Sequence, residues 1–71
     1  MPVIDMMATG ANIKRLRQAA GMTITDITKA CGITAGAVCK WQRGDAMPTI
    51  DNFIVLATIW NMKIDDIIVV R

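Results

Sequence analysis

The sequence predicts a single all-α domain built from five short helices. Three observations carry that prediction. Apolar residues recur at three- and four-residue intervals along most of the chain, threonines stand just before several of these runs, and glycines stand just after them. A length of 71 residues suits one domain, residues 1–71.

The first helix carries Ile13, Leu16 and Ala20 as its apolar stripe, with Lys14, Arg15, Arg17 and Gln18 facing away, and Gly21 ends it. Thr23 caps the second helix, and Asp26, three places on, supplies the return half of a capping box. Ile24, Ile27 and Cys31 then repeat at helical spacing until Gly32 stops the helix. Thr34 caps a third helix from residue 35 to about 43, with Val38 and Trp41 on its inner face and Gly44 beyond its end. After the loop Asp45-Ala46-Met47-Pro48, Thr49 caps a fourth helix that turns Ile50, Phe53, Ala57 and Trp60 inward. Asn61 and Met62 break it. A last helical turn, roughly residues 64–68, sets Asp65 and Asp66 near its positive end, although Lys63 is a poor N-cap. The ends, Val3-Ile4-Asp5-Met6-Met7 and Ile67-Ile68-Val69-Val70, could pair as short extended segments, within one chain or across a dimer, or drape over the helices, and pairing is the favoured expectation.

Composition excludes several function classes. No histidine accompanies Cys31 and Cys39, so neither a zinc site nor a disulfide framework is expected, and no metal or cofactor. Histidine, tyrosine and glutamate are all absent, which leaves acid–base chemistry to Asp or Cys. Asp65 and Asp66 would point about 100° apart on a helix and do not converge. No catalytic residues are therefore expected. The longest nearly unbroken apolar run, Phe53 to Trp60, falls short of the roughly 20 residues a bilayer needs. No basic stretch followed by an apolar segment opens the chain, so the expected location is cytoplasmic, with no membrane partner. Yet 54% of residues are apolar, more than a core this small hides easily, which points to burial in an oligomer.

The net charge is only +2, but it is unevenly placed. Between Gly10 and Asp45 lie Lys14, Arg15, Arg17, Lys29, Lys40 and Arg43 against Asp26 and Asp45. From Ala46 onward, Lys63 and Arg71 face Asp51, Asp65 and Asp66. The front half is the candidate surface for a polyanion.

A short helix, a tight turn at Gly32 and a second short helix follow the helix-turn-helix plan, here about residues 23–43. Thr28 supplies the small residue where the two helices cross. Ile27, Cys31, Ile33, Val38 and Trp41 fill the buried slots. With Ile13-Lys14-Arg15-Leu16-Arg17, Gly21-Met22-Thr23, Cys31-Gly32-Ile33-Thr34, Lys40-Trp41-Gln42-Arg43-Gly44, Pro48-Thr49-Ile50-Asp51-Asn52-Phe53 and Ile64-Asp65-Asp66-Ile67, the chain resembles the Cro/XRE-type phage-repressor family. The resemblance implies a five-helix, lambda-repressor-like domain that binds double-stranded DNA, usually as a dimer, and regulates transcription in bacteria or their phages.

It also implies a site. The third helix, residues 35–42, would enter the major groove with Ala35, Gly36 and Ala37 toward base edges and Lys40 one turn later. Thr34, Arg43 and the backbone at Gly44 would meet phosphates, and Thr49 and Asn52 would form a second clamp at the start of the fourth helix. Arg15 and Arg17 would add contacts from the first helix. Two departures bear on specificity. Ile24 stands where the family usually has a DNA-contacting glutamine, and Ala35, Gly36 and Ala37 offer no polar side chains for reading bases. Lys40 could donate to a guanine edge or reach a phosphate, so specificity would rest on Lys40, on DNA shape, or be low.

On the fourth helix, Val55 and Ile59 join Phe53 and Ile54 in a stripe wider than one core requires. A homodimer through that helix and Ile67, Ile68, Val69 and Val70 is the expected assembly, with no small-molecule ligand. The rival reading is a helix-turn-helix relic that serves as a protein-interaction or dimerisation module without binding DNA.

Overall fold

Local capping decides where the helices begin. A computed structural model describes residues 1–71 and contains four α-helices: α1 (Met6–Ala19), α2 (Ile24–Cys31), α3 (Ala35–Arg43) and α4 (Ile50–Ile59). Thr23, Thr34 and Thr49 accept from the backbone N–H groups of Asp26, Ala37 and Asn52 at 3.1, 3.2 and 3.2 Å. Asp26 answers by accepting from the Thr23 N–H at 2.8 Å, which completes the capping box.

The first helix starts earlier than its apolar stripe suggested. Asp5 Oδ1 accepts from the Ala8 N–H at 3.0 Å, so Met6 and Met7 open α1 and only residues 3–5 remain extended. These residues do pair with the C-terminal end of the same chain. Ile4 and Val70 form an antiparallel bridge, Asp5 N–H donates to Val69 O at 2.8 Å, and Arg71 N–H donates to Val3 O at 2.9 Å. Thr9, fully buried, locks the pairing: its hydroxyl accepts from Val69 N–H at 2.9 Å and donates to Val69 O at 3.3 Å. Asn12 adds a fork from Nδ2 to the carbonyls of Asp66 and Ile67 at 3.0 and 2.9 Å.

The expected fifth helix is only a 3-10 turn, Ile64–Asp66. Lys63 offers no capping oxygen, and the chain just beyond is drawn into the extended pairing with residues 3–5, so the turn cannot propagate.

Ile13, Ile27, Val38, Trp41, Phe53, Leu56, Ala57 and Ile67 form the core. Two expectations for α4 and the tail change here. Ile50, expected inside, is 67% exposed, and Leu56 takes the inward place. Ile67, expected on a dimer surface, is fully buried in its own subunit because the 3-10 turn aims it inward. Trp60 is half-buried against the core, with its Nε1–H lacking an acceptor. Ala20 lies just past the end of α1 and is exposed.

One close approach fixes how α1 lies on α3. A Cβ at Gly10 would collide with the carbonyl oxygen of Trp41, so only glycine lets the two helix backbones meet there. Gly44 is constrained twice: its φ is +79°, and a Cβ would come within 2.8 Å of Met7 Cα.

Candidate nucleic-acid interface

The third helix has two unlike faces. Val38 and Trp41 are buried against the core, whereas Ala35, Gly36, Lys40 and Arg43 are exposed and Ala37 and Cys39 are half-buried. Gly36, Lys40 and Arg43 lie at i, i+4 and i+7, so they share one outward stripe. Nothing but the Thr34 hydroxyl lies within 4 Å of where a Gly36 Cβ would be, so the fold has no packing need for glycine there. The first N–H groups of α3 have no intrahelical acceptor, and they open on this same end.

Arg17 ties the surface together from behind. Its Nε donates to Gln42 Oε1 at 2.9 Å and its Nη1 donates to Met22 O at 3.0 Å, joining α1, the turn before α2 and the last turn of α3. Both partners are neutral, so the positive charge of Arg17 is anchored without being cancelled. Gln42 is the residue that sequence reasoning missed as a structural partner. Its signal was its place one step beyond Trp41, which turns it toward α1.

Arg15 is placed differently. Two residues from Arg17, it projects about 200° around the helix. Its Nε donates to Asn12 Oδ1 at 3.1 Å, beside the C-terminal turn, and the structure does not bring it together with α3. Arg43 lies at the end of α3, where its Nε meets Asp45 Oδ2 at 3.0 Å. The Gly44 N–H is committed to Trp41 O at 3.1 Å and the Asp45 N–H to Lys40 O at 2.9 Å, which closes the helix.

At the start of α4, Thr49 is exposed and Asn52 half-buried, with the free N–H groups of the first turn beside them. Cys31 is half-buried next to the core, and that burial pushes its thiol pKa up, away from the reactive thiolate. No group of three or more His, Cys, Asp or Glu side chains is placed to hold a metal ion. No helix is long and apolar enough to cross a membrane.

The same architecture recurs in solved structures. The chain is similar to the restriction-modification controller protein C.AhdI from Aeromonas hydrophila, with a TM-score of 0.78 and 22% identity, covering 89% of this chain and 96% of that one. It is similar to a transcriptional regulator from Listeria innocua, with a TM-score of 0.80 and 25% identity over 84% of this chain, but spans only 56% of that regulator. The clp gene regulator ClgR from C. glutamicum matches with a TM-score of 0.74 and 18% identity, over 86% of this chain and 79% of that one. No curated protein matches the chain in sequence. A helix-turn-helix family model matches residues 13–67, a span that runs from the buried Ile13 through the Gly32 turn to the buried Ile67. The chain thus belongs to the Cro/XRE-type helix-turn-helix family.

Proposed function

We propose that this chain is a DNA-binding transcriptional regulator, a dimeric repressor acting in the cytoplasm, that inserts the N-terminal half of α3 into the major groove. The observation that carries the reading is the outer face of α3. It bears no acidic or large apolar side chain, presents Lys40 and Arg43, and is braced from behind by Arg17 through Gln42. Ala35, Gly36 and Ala37 let the helix backbone approach closely, and the alanine methyls suit thymine methyls. Lys40 supplies the polar contact to a base edge, ideally guanine. Thr34, Arg43, the backbone around Gly44, Thr49 and Asn52 are assigned to phosphates, with Arg17 and Arg15 contributing positive potential from α1. Sequence preference is modest, because the bidentate side chains that commonly discriminate bases are missing from residues 35–37.

Dimerisation is the second part of the reading. Ile50, Ile54 and Ile59 stand 67%, 49% and 41% exposed on α4, and Val70 stands 60% exposed on the tail. Ile54 also edges a shallow hollow with Ala57, Thr58, Asn61, Met62 and Ile64. Val55, Ile68 and Val69 are half-buried, Val69 beside Ala8, Ala11, Asn12 and Arg15 of α1, and Ile67 takes no part in the surface. A twofold pair through α4 would set the two α3 helices about 34 Å apart, one DNA turn, over a palindromic site.

A competing function, a protein-interaction module that has lost DNA binding, draws on the same bare residues 35–37 together with the apolar α4 face. Fluorescence anisotropy with random-sequence duplex DNA at several salt concentrations separates the two. Phosphate-anchored binding weakens steeply as salt rises. No binding at low salt refutes the regulator reading and leaves the interaction module.

A further inference from the structure

The six carboxylates of the chain divide unequally. Asp5 caps α1, Asp26 closes the capping box of α2, Asp51 lies in the first turn of α4, and Asp65 and Asp66 lie in the 3-10 turn. All five sit at helix N-terminal ends, where partial positive charge favours an anion. Asp45 is the exception. It follows the C-terminal end of α3, where a helix favours cations, and its carboxylate accepts no backbone N–H. Its one partner is Arg43, in the only ion pair of the chain, so of eight basic side chains Arg43 alone is matched with a carboxylate.

We propose that Asp45 is an intramolecular stand-in for a DNA phosphate, holding Arg43 at the end of the recognition helix until the DNA backbone displaces it. This rests on the DNA-binding reading and adds an affinity-setting residue to it. The geometry supports competition over support. A carboxylate that braces an arginine for its ligand must itself be held, but the Asp45 and Arg43 side chains are 59% and 63% exposed and Asp45 touches no other donor. The pair is made through Nε, while both Nη groups make no hydrogen bond within the chain, so an arriving phosphate meets the guanidinium with the carboxylate already beside it. Two anions on one exposed guanidinium repel, and the mobile one gives way. Arg17, whose partners are neutral, pays no such penalty, so the two arginines flanking α3 differ in how freely they meet a phosphate.

The test is a cycle of Asp45→Asn, Arg43→Gln and the double variant, with affinity for a random-sequence duplex followed across salt concentrations. Thermal melts of each variant serve as a control for folding. Asp45→Asn should tighten binding about two- to fivefold at low salt, the range an exposed ion pair supports. The slope of log K against log salt should stay near the wild-type value, because Arg43 meets its phosphate in both proteins. In the Arg43→Gln background the same change should bring less than this gain. Unchanged or weaker binding by Asp45→Asn overturns the proposal, the weaker result making Asp45 a brace. An equal gain with and without Arg43 also overturns it, because the charge would then act on DNA generally. If wild type and Asp45→Asn both fail to bind at low salt, the DNA-binding reading itself falls. Wild-type binding that Asp45→Asn leaves unaltered removes only the role of Asp45.

Discussion

Helices α3 and α4 are close in length, each capped by a threonine and each buried along one side, yet their outer faces differ in kind. Outside α3 there are small and basic residues. Outside α4 there are isoleucines around Asp51 and Thr58, with Ile50 67% exposed. The buried sides secure the fold in both cases, so the outer sides are free to differ, and their chemistry separates a basic surface of small residues from a largely apolar one.

The sharpest way to break that contrast is to invert the two sides of α4. Leu56→Ala removes a fully buried side chain and should cost about 3 kcal/mol by chemical denaturation. Ile54→Ser, on the outer side, should leave monomer stability within about 0.5 kcal/mol and shift the sedimentation equilibrium from dimer to monomer. A wild-type protein that sediments as a monomer at micromolar concentration refutes the dimer surface.

A somewhat smaller effect tests how α3 is seated. Gly10→Ala forces a methyl against the Trp41 carbonyl and should destabilise by about 2 kcal/mol, with DNA affinity falling as α3 tilts. A stabilised Gly10→Ala protein would mean the helices slide apart freely. On the outer face, Lys40→Ala should change which duplex sequences are preferred, by about 1 kcal/mol between sites, without loss of thermal stability. Equal weakening on every sequence would reduce Lys40 to a phosphate contact.

The smallest effect concerns α2, which sets the start of α3. The Thr23 backbone N–H, then its hydroxyl hydrogen bond, hold Asp26 below the usual carboxylate range, with Lys29 adding a minor pull and burial opposing slightly. A carboxyl lowered in the folded state contributes stability that is present above its unfolded value, near 3.8, and lost as pH falls through the folded value. Asp26→Asn should therefore lower the neutral-pH melt and flatten the acid limb, with the two proteins converging below about pH 4. An unaltered acid limb would show that the capping box is open in solution.

How much of this was legible beforehand depended on distance along the chain. Thr23 with Asp26, Thr34 with Ala37 and Gly32 act within three or four residues, so the helix-turn-helix and both faces of α3 could be read directly from spacing. The phase of α4 could not. Seven of its ten residues are apolar and they spread around most of its circumference, a stripe too broad to mark the inner face, so Ile50 reads as inward while the core takes Leu56 instead. Of the candidate site, pattern gave the helical placement of α3 and the threonine cap of α4, while the DNA roles came with the family resemblance. The Arg17–Gln42 link and the Arg43–Asp45 pair were not, because side-chain rotamers and helix crossings decide them.

The sequence by itself determined the three threonine-capped helices and the charge asymmetry, since both depend on near neighbours and on residue type. Residue type also pointed to pairing of the chain ends, but only the tertiary structure decided that they pair within one chain and what holds them. Thr9 and Asn12 reach residues more than 50 positions away and draw the tail into an extended pairing, which limits the last helix to one 3-10 turn and turns Ile67 into core. Contacts that close so long a loop form only once the intervening helices have packed, so no local pattern records them.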